Sequence, residues 1–153
     1  MLATAGLDGG AEARTVVLRG ADRDAGTVEI HTDAETSKVA ELRRDPCATL
    51  HVWEERPRLQ LRLRLTVEIL TGSAVQARWE ALPEAARTNY GMTPAPGAAI
   101  PDSDAYARPS DPARFAVLRG RAEEIEVLLL GSGHDRRALF RRADGWQGSW
   151  RVP

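Results

Sequence analysis

Thr36, Ser37 and Lys38 follow one another where a strand pattern gives way to a helical one, with Arg14, His31 and Thr32 at neighbouring strand ends. These residue types at these places suit an anion, above all a phosphate. The first N–H groups of a helix are unpaired and its dipole favours negative charge there. The hydroxyls add donors, and Lys38 is the single lysine in a chain with 21 basic residues. Three charge-assisted hydrogen bonds at roughly 1.5 to 3 kcal/mol each approach the ~8 kcal/mol of micromolar binding. Helix capping explains Thr36 or Ser37 without any ligand, but it gives no reason for Lys38, whose charge opposes the dipole. The alternative for Lys38 is a leftover of an arginine-rich composition.

Other chemistry is poorly supported. GxGxxG after a strand, a Walker loop, HExxH and GxSxG are all missing. His31, His51 and His134 stand at unrelated spacings, so no metal site is expected. Cys47, the one cysteine, excludes an intrachain disulfide; its setting in PCATLHVW reads as a buried strand position, and a reducing cytoplasm fits best. The tryptophans read as core and interface material. With 21 basic and 22 acidic residues the net charge is −1, which argues against a general nucleic-acid binder. No run is long and apolar enough to suggest export or membrane insertion.

The elements that must hold these residues follow from periodicity. At 153 residues, 42% hydrophobic and 28% charged, the chain reads as a single globular domain over residues 1–153. Leu2 to Ala5, the turn Asp8, Gly9, Gly10, and then EARTVVLRG read as an opening hairpin. TVEIHTD is a third strand ending near Asp33, and ETSKVAELRRDP a short helix stopped at Pro46. ATLHVW follows, then RLQLRLRLTVEIL, whose Leu59, Leu61, Leu63, Leu65, Val67 and Ile69 alternate with Gln60, Arg62, Arg64, Thr66 and Glu68. That polar row faces either water or a polar cleft. Helical spacing returns from Ser73 to Tyr90, with Val75, Trp79 and Leu82 on one stripe and Pro83 as a break. Residues 91–113 form a long irregular loop, either a lid or a mobile segment. RFAVLRG and EEIEVLLLG read as two more strands, and the chain closes in a hairpin turning at Asp144 and Gly145. The sum is seven or eight mainly antiparallel strands with two helical insertions, a small barrel or sandwich.

RTVVLRG, IHTD, ETSKVAEL and the Gln-centred RLQLRLR occur in the order and spacing found in the pyridoxamine 5'-phosphate oxidase-like flavoproteins, and the chain resembles that family. The ending, HDRRALF followed by DGW and WRVP, resembles its shorter, uncharacterised branch. The resemblance implies a mainly β, FMN-binding split β-barrel, antiparallel and Greek-key-like, with a few short peripheral helices. It also implies a homodimer with FMN at the interface. By position, Arg14 corresponds to a strand arginine that reaches the FMN phosphate, and Thr15, Val16 and Val17 lie along the flavin. His31 and Thr32 match the pair beside the cofactor, Ser37 and Lys38 the helix entry holding phosphate and ribityl groups, and Gln60 the glutamine near the flavin ring. Arg137 corresponds to a late arginine supplied by the partner subunit.

Departures bear on the reaction. Arg19 stands where the true oxidases carry a substrate-binding lysine, and Tyr90 matches a substrate-loop tyrosine whose following arginine and serine are not found in GMTPAPGA. HDRR differs in order from the Arg-x-His pair that grips pyridoxal phosphate, and Leu128 replaces a flavin-adjacent tryptophan. These differences count against oxidation of pyridoxamine phosphate. Family members also begin with a helix that the sequence as given lacks. The expectation is an FMN-dependent oxidoreductase acting on an unidentified small molecule, with Arg19 and Tyr90 on the substrate side. The rivals are a flavin or phosphorylated-ligand carrier without turnover, and a scaffold that binds neither.

Overall fold

The computed structural model covers all 153 residues, Met1–Pro153. Nine strands form one antiparallel sheet: β1 (Leu2–Ala5), β2 (Ala11–Arg14), β3 (Leu18–Asp22), β4 (Thr27–Asp33), β5 (Cys47–Glu54), β6 (Leu59–Leu70), β7 (Phe115–Leu129), β8 (Arg136–Arg141) and β9 (Gly148–Arg151). The helices are α1 (Ser37–Arg44), α2 (Gln76–Glu80) and α3 (Glu84–Arg87). No helix is long and apolar enough to cross a membrane.

The path runs β2-β1-β5-β6-β7-β4-β3, with β8 and β9 added beyond β7. Its end strands β2 and β3 are consecutive in sequence, joined by residues 15–17. In a flat sheet seven strands wide they would stand about 29 Å apart. The link from Arg14 to Leu18 can span only about 14 Å. The sheet therefore curls until its ends meet, and because β2 and β3 do not pair with each other the barrel is split. The expected single strand EARTVVLRG is thus two strands, β2 on β1 and β3 on β4, with residues 15–17 crossing the gap.

A second correction concerns RFAVLRG and EEIEVLLLG, which are one 15-residue strand. β7 pairs with β4, β6 and β8 along its length. Gly120 is what lets it pass through the core, since a Cβ there would lie 2.7 Å from Leu65 Cδ1. A third correction is Cys47, which is exposed, because its register in β5 points it outward while Ala48 points in.

Alternation on β1, β4, β5, β6 and β7 fills the barrel with Leu2, Ile30, Leu50, Leu65 and Leu118, and α1 covers one opening with Val39 and Leu42. Each such side chain contributes about 1.5–3 kcal/mol through burial. A separate cluster of Val75, Trp79, Tyr90, Phe115 and Val117 fixes α2 and the start of the 91–113 loop against β7. The stripe Val75, Trp79, Leu82 packs there as the sequence predicts.

Candidate functional site

β4 ends at Asp33 and α1 begins at Ser37, so the intervening turn brings two hydroxyls and an ammonium together. Thr36 Oγ1 donates to the Asp33 carbonyl at 2.9 Å and lies 3.2 Å from Thr32 Oγ1, and Lys38 Nζ donates to Thr32 Oγ1 at 3.2 Å. No side chain caps α1. Lys38 makes no ion pair, while eleven other contacts in the chain do. Burial pushes the Lys38 ammonium below its ordinary pKa, and the nearby Arg14 charge pushes the same way. The Glu41 and Asp33 carboxylates act the other way but form no ion pair with it, and a half-buried cation without a direct partner at a helix amino end is costly by itself.

A cleft of about 340 Å³ opens beside this group. It is lined by Thr15, Val16, Val17, Arg19, His31, Thr32, Lys38 and Tyr90 among the residues singled out from the sequence. The split explains their meeting: residues 15–17 cross the gap directly over the end of β4. Val16 packs into the barrel and Val17 is exposed. His31 stands edge-on to Phe115 at 5.1 Å, and Tyr90 does so at 4.8 Å. Burial, followed by the Arg19 charge, lowers the His31 pKa, and His31 Nδ1 is buried without a hydrogen-bond partner. Burial raises the Tyr90 pKa. At neutral pH this wall presents a neutral imidazole, a neutral phenol and the Arg19 guanidinium.

Four residues lie outside the cleft. Ser37 is exposed at the start of α1, and Arg14 is engaged by Thr4 and by Glu41, the latter at 2.8 Å. Gln60 and Arg137 sit on β6 and β8, each directly opposite Leu128 of β7, so the three side chains share one face of the sheet. Arg137 pairs with Glu126 at 2.8 Å. The structure adds Asp33, Asn89, Met92 and Pro96 to the cleft wall. Met92 and Pro96 come from the long loop, whose involvement could be suspected from its length alone. Three larger hollows contain neither Lys38 nor His31: two, of about 490 and 520 Å³, lie toward the other end of β4, and one of about 390 Å³ lies beside β1 and β5.

The family model described as pyridoxamine 5'-phosphate oxidase matches residues 1–129. The chain belongs to that family. A pyridoxamine 5'-phosphate oxidase-related, FMN-binding protein of Nostoc punctiforme superposes with a TM-score of 0.80 at 26% identity, over 99% of this chain and 85% of its own. PhzG of Burkholderia lata, solved with tetrahydrophenazine-1-carboxylic acid, has the same fold at a TM-score of 0.80 and 20% identity, over 99% of this chain and 80% of its own. A heme-binding protein of Mycobacterium smegmatis shares the fold more distantly, with a TM-score of 0.56 and 19% identity over 89% of this chain and 50% of its own. No curated protein matches the chain. The pyridoxamine 5'-phosphate oxidase family and its split-barrel fold, expected from the linked motifs, are thereby established.

Proposed function

We propose that the cleft binds FMN and that the protein is an FMN-dependent oxidoreductase acting on a small anionic or aromatic substrate. The observation that carries this reading is Lys38: a half-buried ammonium in direct contact with no carboxylate, since Glu41 and Asp33 are engaged by Arg14 and Arg114, beside Thr32, Thr36 and the uncapped start of α1. A phosphate there would supply the missing negative charge and accept from the hydroxyls and helix amides. The partnerless His31 Nδ1 offers a further polar contact inside the cleft. Residues 15–17 would then flank the isoalloxazine. FMN would contribute the redox chemistry, and the chain binding, orientation and exclusion of water.

With Lys38 assigned to the cofactor, Arg19 is the only other lysine or arginine on the cleft wall. Neither Met92 nor Pro96 replaces the cations that grip a pyridoxal phosphate, which argues against vitamin B6 oxidation. The same scarcity favours a second reading, a flavin carrier or sensor without turnover.

A homodimer accounts for Gln60 and Arg137, which lie outside the cleft of their own subunit and would complete the partner's. The apolar row Val52, Leu61, Val127, Ala138 and Trp150 crosses five strands on the face opposite to Gln60 and Arg137, and a partner that wraps the edge of the sheet would cover it as well. Val52 is 37% and Trp150 76% exposed in the single chain. A cytoplasmic location fits the lone thiol of Cys47.

The deciding experiment is the absorbance spectrum of purified protein, with released cofactor identified by mass. Bound FMN reduced by NADH or NADPH and reoxidised supports the enzyme. Bound FMN that is never reduced supports the carrier. Colourless protein that takes up no added FMN refutes both.

A further inference from the structure

We propose that Asp33 is a positioning residue that clamps the 91–113 loop against the cleft, coupling the cofactor side of the site to its substrate side. The idea rests on the flavin reading of the cleft. Asp33 is 3% exposed and follows Thr32 at the end of β4. Its carboxylate accepts four hydrogen bonds. Oδ1 takes Glu35 N at 2.9 Å, Arg114 Nε at 3.0 Å and Arg114 Nη2 at 2.8 Å; Oδ2 takes Gly91 N at 2.7 Å. Gly91 and Arg114 are the two ends of the loop, so one carboxylate holds both.

The surrounding backbone is built for this closure. Asp111 N donates to the Tyr90 carbonyl at 3.0 Å, and Ala34 N to the Arg114 carbonyl at 2.7 Å. Gly91 has φ +115°, and a Cβ there would lie 2.7 Å from the Pro109 carbonyl oxygen, so the loop ends meet at a position only glycine fills. Thr93 and Ala107 then exchange two backbone hydrogen bonds, 3.0 and 2.8 Å, which zip the loop one step further out. Tyr90 precedes the clamp and Met92 follows it, and both line the cleft.

The chemistry requires a carboxylate. An asparagine offers one acceptor oxygen and one donor nitrogen, so whichever way the amide turns, its NH₂ meets either the Gly91 N–H or the Arg114 guanidinium. Engagement with Arg114 and two backbone amides also explains why Asp33 does not pair with Lys38 five positions on, leaving that ammonium for an anion.

The test compares the parent protein with Asp33→Asn by amide hydrogen exchange, FMN titration and iodide quenching of bound FMN. The expected result is exchange at Gly91, Thr93, Ala107 and Asp111 faster by at least tenfold, with β6 amides unchanged. FMN should still bind, its Kd raised by less than tenfold, and iodide should quench it at least twofold more efficiently because the loop wall no longer shields it. Unchanged loop exchange in the folded variant overturns the proposal. So does uniform acceleration across the sheet with loss of FMN, which is a merely structural role. Should Asp33→Asn not fold, Arg114→Lys, which keeps the charge and removes the fork, carries the same expectations. If the parent protein binds no FMN, the functional reading falls, and loop exchange still decides the role of Asp33.

Discussion

Arg14 and Glu41 close a buried ion pair, Nη2 to Oε2 at 2.8 Å, with the Glu41 side chain 4% exposed. Thr4 Oγ1 donates to the same carboxylate at 2.5 Å, and Arg14 Nη1 donates to Thr4. One strand from each side of the first hairpin is thereby tied to α1, directly beneath the helix entry that carries Lys38. The guanidinium expected from the sequence to reach a phosphate serves the fold first, and its charge acts on Lys38 from below.

Removing one member of that pair strands the other. Arg14→Ala should lower stability by about 3 kcal/mol, the low end for breaking a buried pair because Arg14 keeps some solvent contact. The double variant Arg14→Met, Glu41→Leu should recover most of the loss, since no unpaired charge remains. Urea denaturation of the three proteins measures both effects, and a single variant as stable as the parent would count against a structural role.

Lys38→Ala should behave in the opposite way. The ammonium is disfavoured by burial and by the α1 dipole, so its removal should leave apo-protein stability equal or slightly raised. FMN affinity should fall by roughly 10- to 100-fold, the value of one charge-assisted contact of about 1.5–3 kcal/mol. Flavin fluorescence titration gives the affinity and calorimetry the stability. Unaltered affinity removes the phosphate assignment.

His31 predicts a pH dependence. Burial and the Arg19 charge hold its folded-state pKa below the ordinary 6.5. The unfolded chain therefore binds more protons between the depressed value and 6.5, and stability rises with pH across that window. Below the folded pKa the penalty for protonating the buried ring is fully present; above 6.5 it is gone. His31→Gln should flatten this slope in melting temperature in the window just below pH 6.5. Glu29, whose pKa is lowered chiefly by its hydrogen bond from Arg78, loses its contribution only as pH falls below 4.5, so the two effects separate.

What could be read from the sequence was local, and what could not was long-range. β4, α1 and β6 are written in period-2 and helical spacing, and they appear where those patterns place them. The break at residues 15–17 was hidden because Thr15, Val16 and Val17 are extended whether they pair with a neighbour or cross a gap. Gly120 resembled punctuation between two strands, and its need is visible only once Leu65 lies against it. The clamp at Asp33 joins residues 58 and 81 positions away, which no spacing rule connects. Lys38 stood out in the sequence because a lone lysine at a helix entrance contradicts local electrostatics, and the structure places it half-buried on the cleft wall.

Trp150 tests the assembly. It ends the apolar row that crosses β5 to β9, and a second copy laid on that row would bury it. Trp150→Glu should convert a dimer to monomer at micromolar concentration in light scattering, because burying an unpaired carboxylate costs far more than the lost apolar contact gains. Flavin affinity should fall with it, since Gln60 and Arg137 would no longer be presented to the opposing cleft. Gln60→Ala leaves the apolar row intact, so it should weaken flavin binding while the protein stays dimeric. The two variants thus separate the assembly from the cross-subunit contact. A monomeric Trp150→Glu protein that binds FMN as tightly as the parent would confine the cofactor to one chain and leave Gln60 and Arg137 without a role in it.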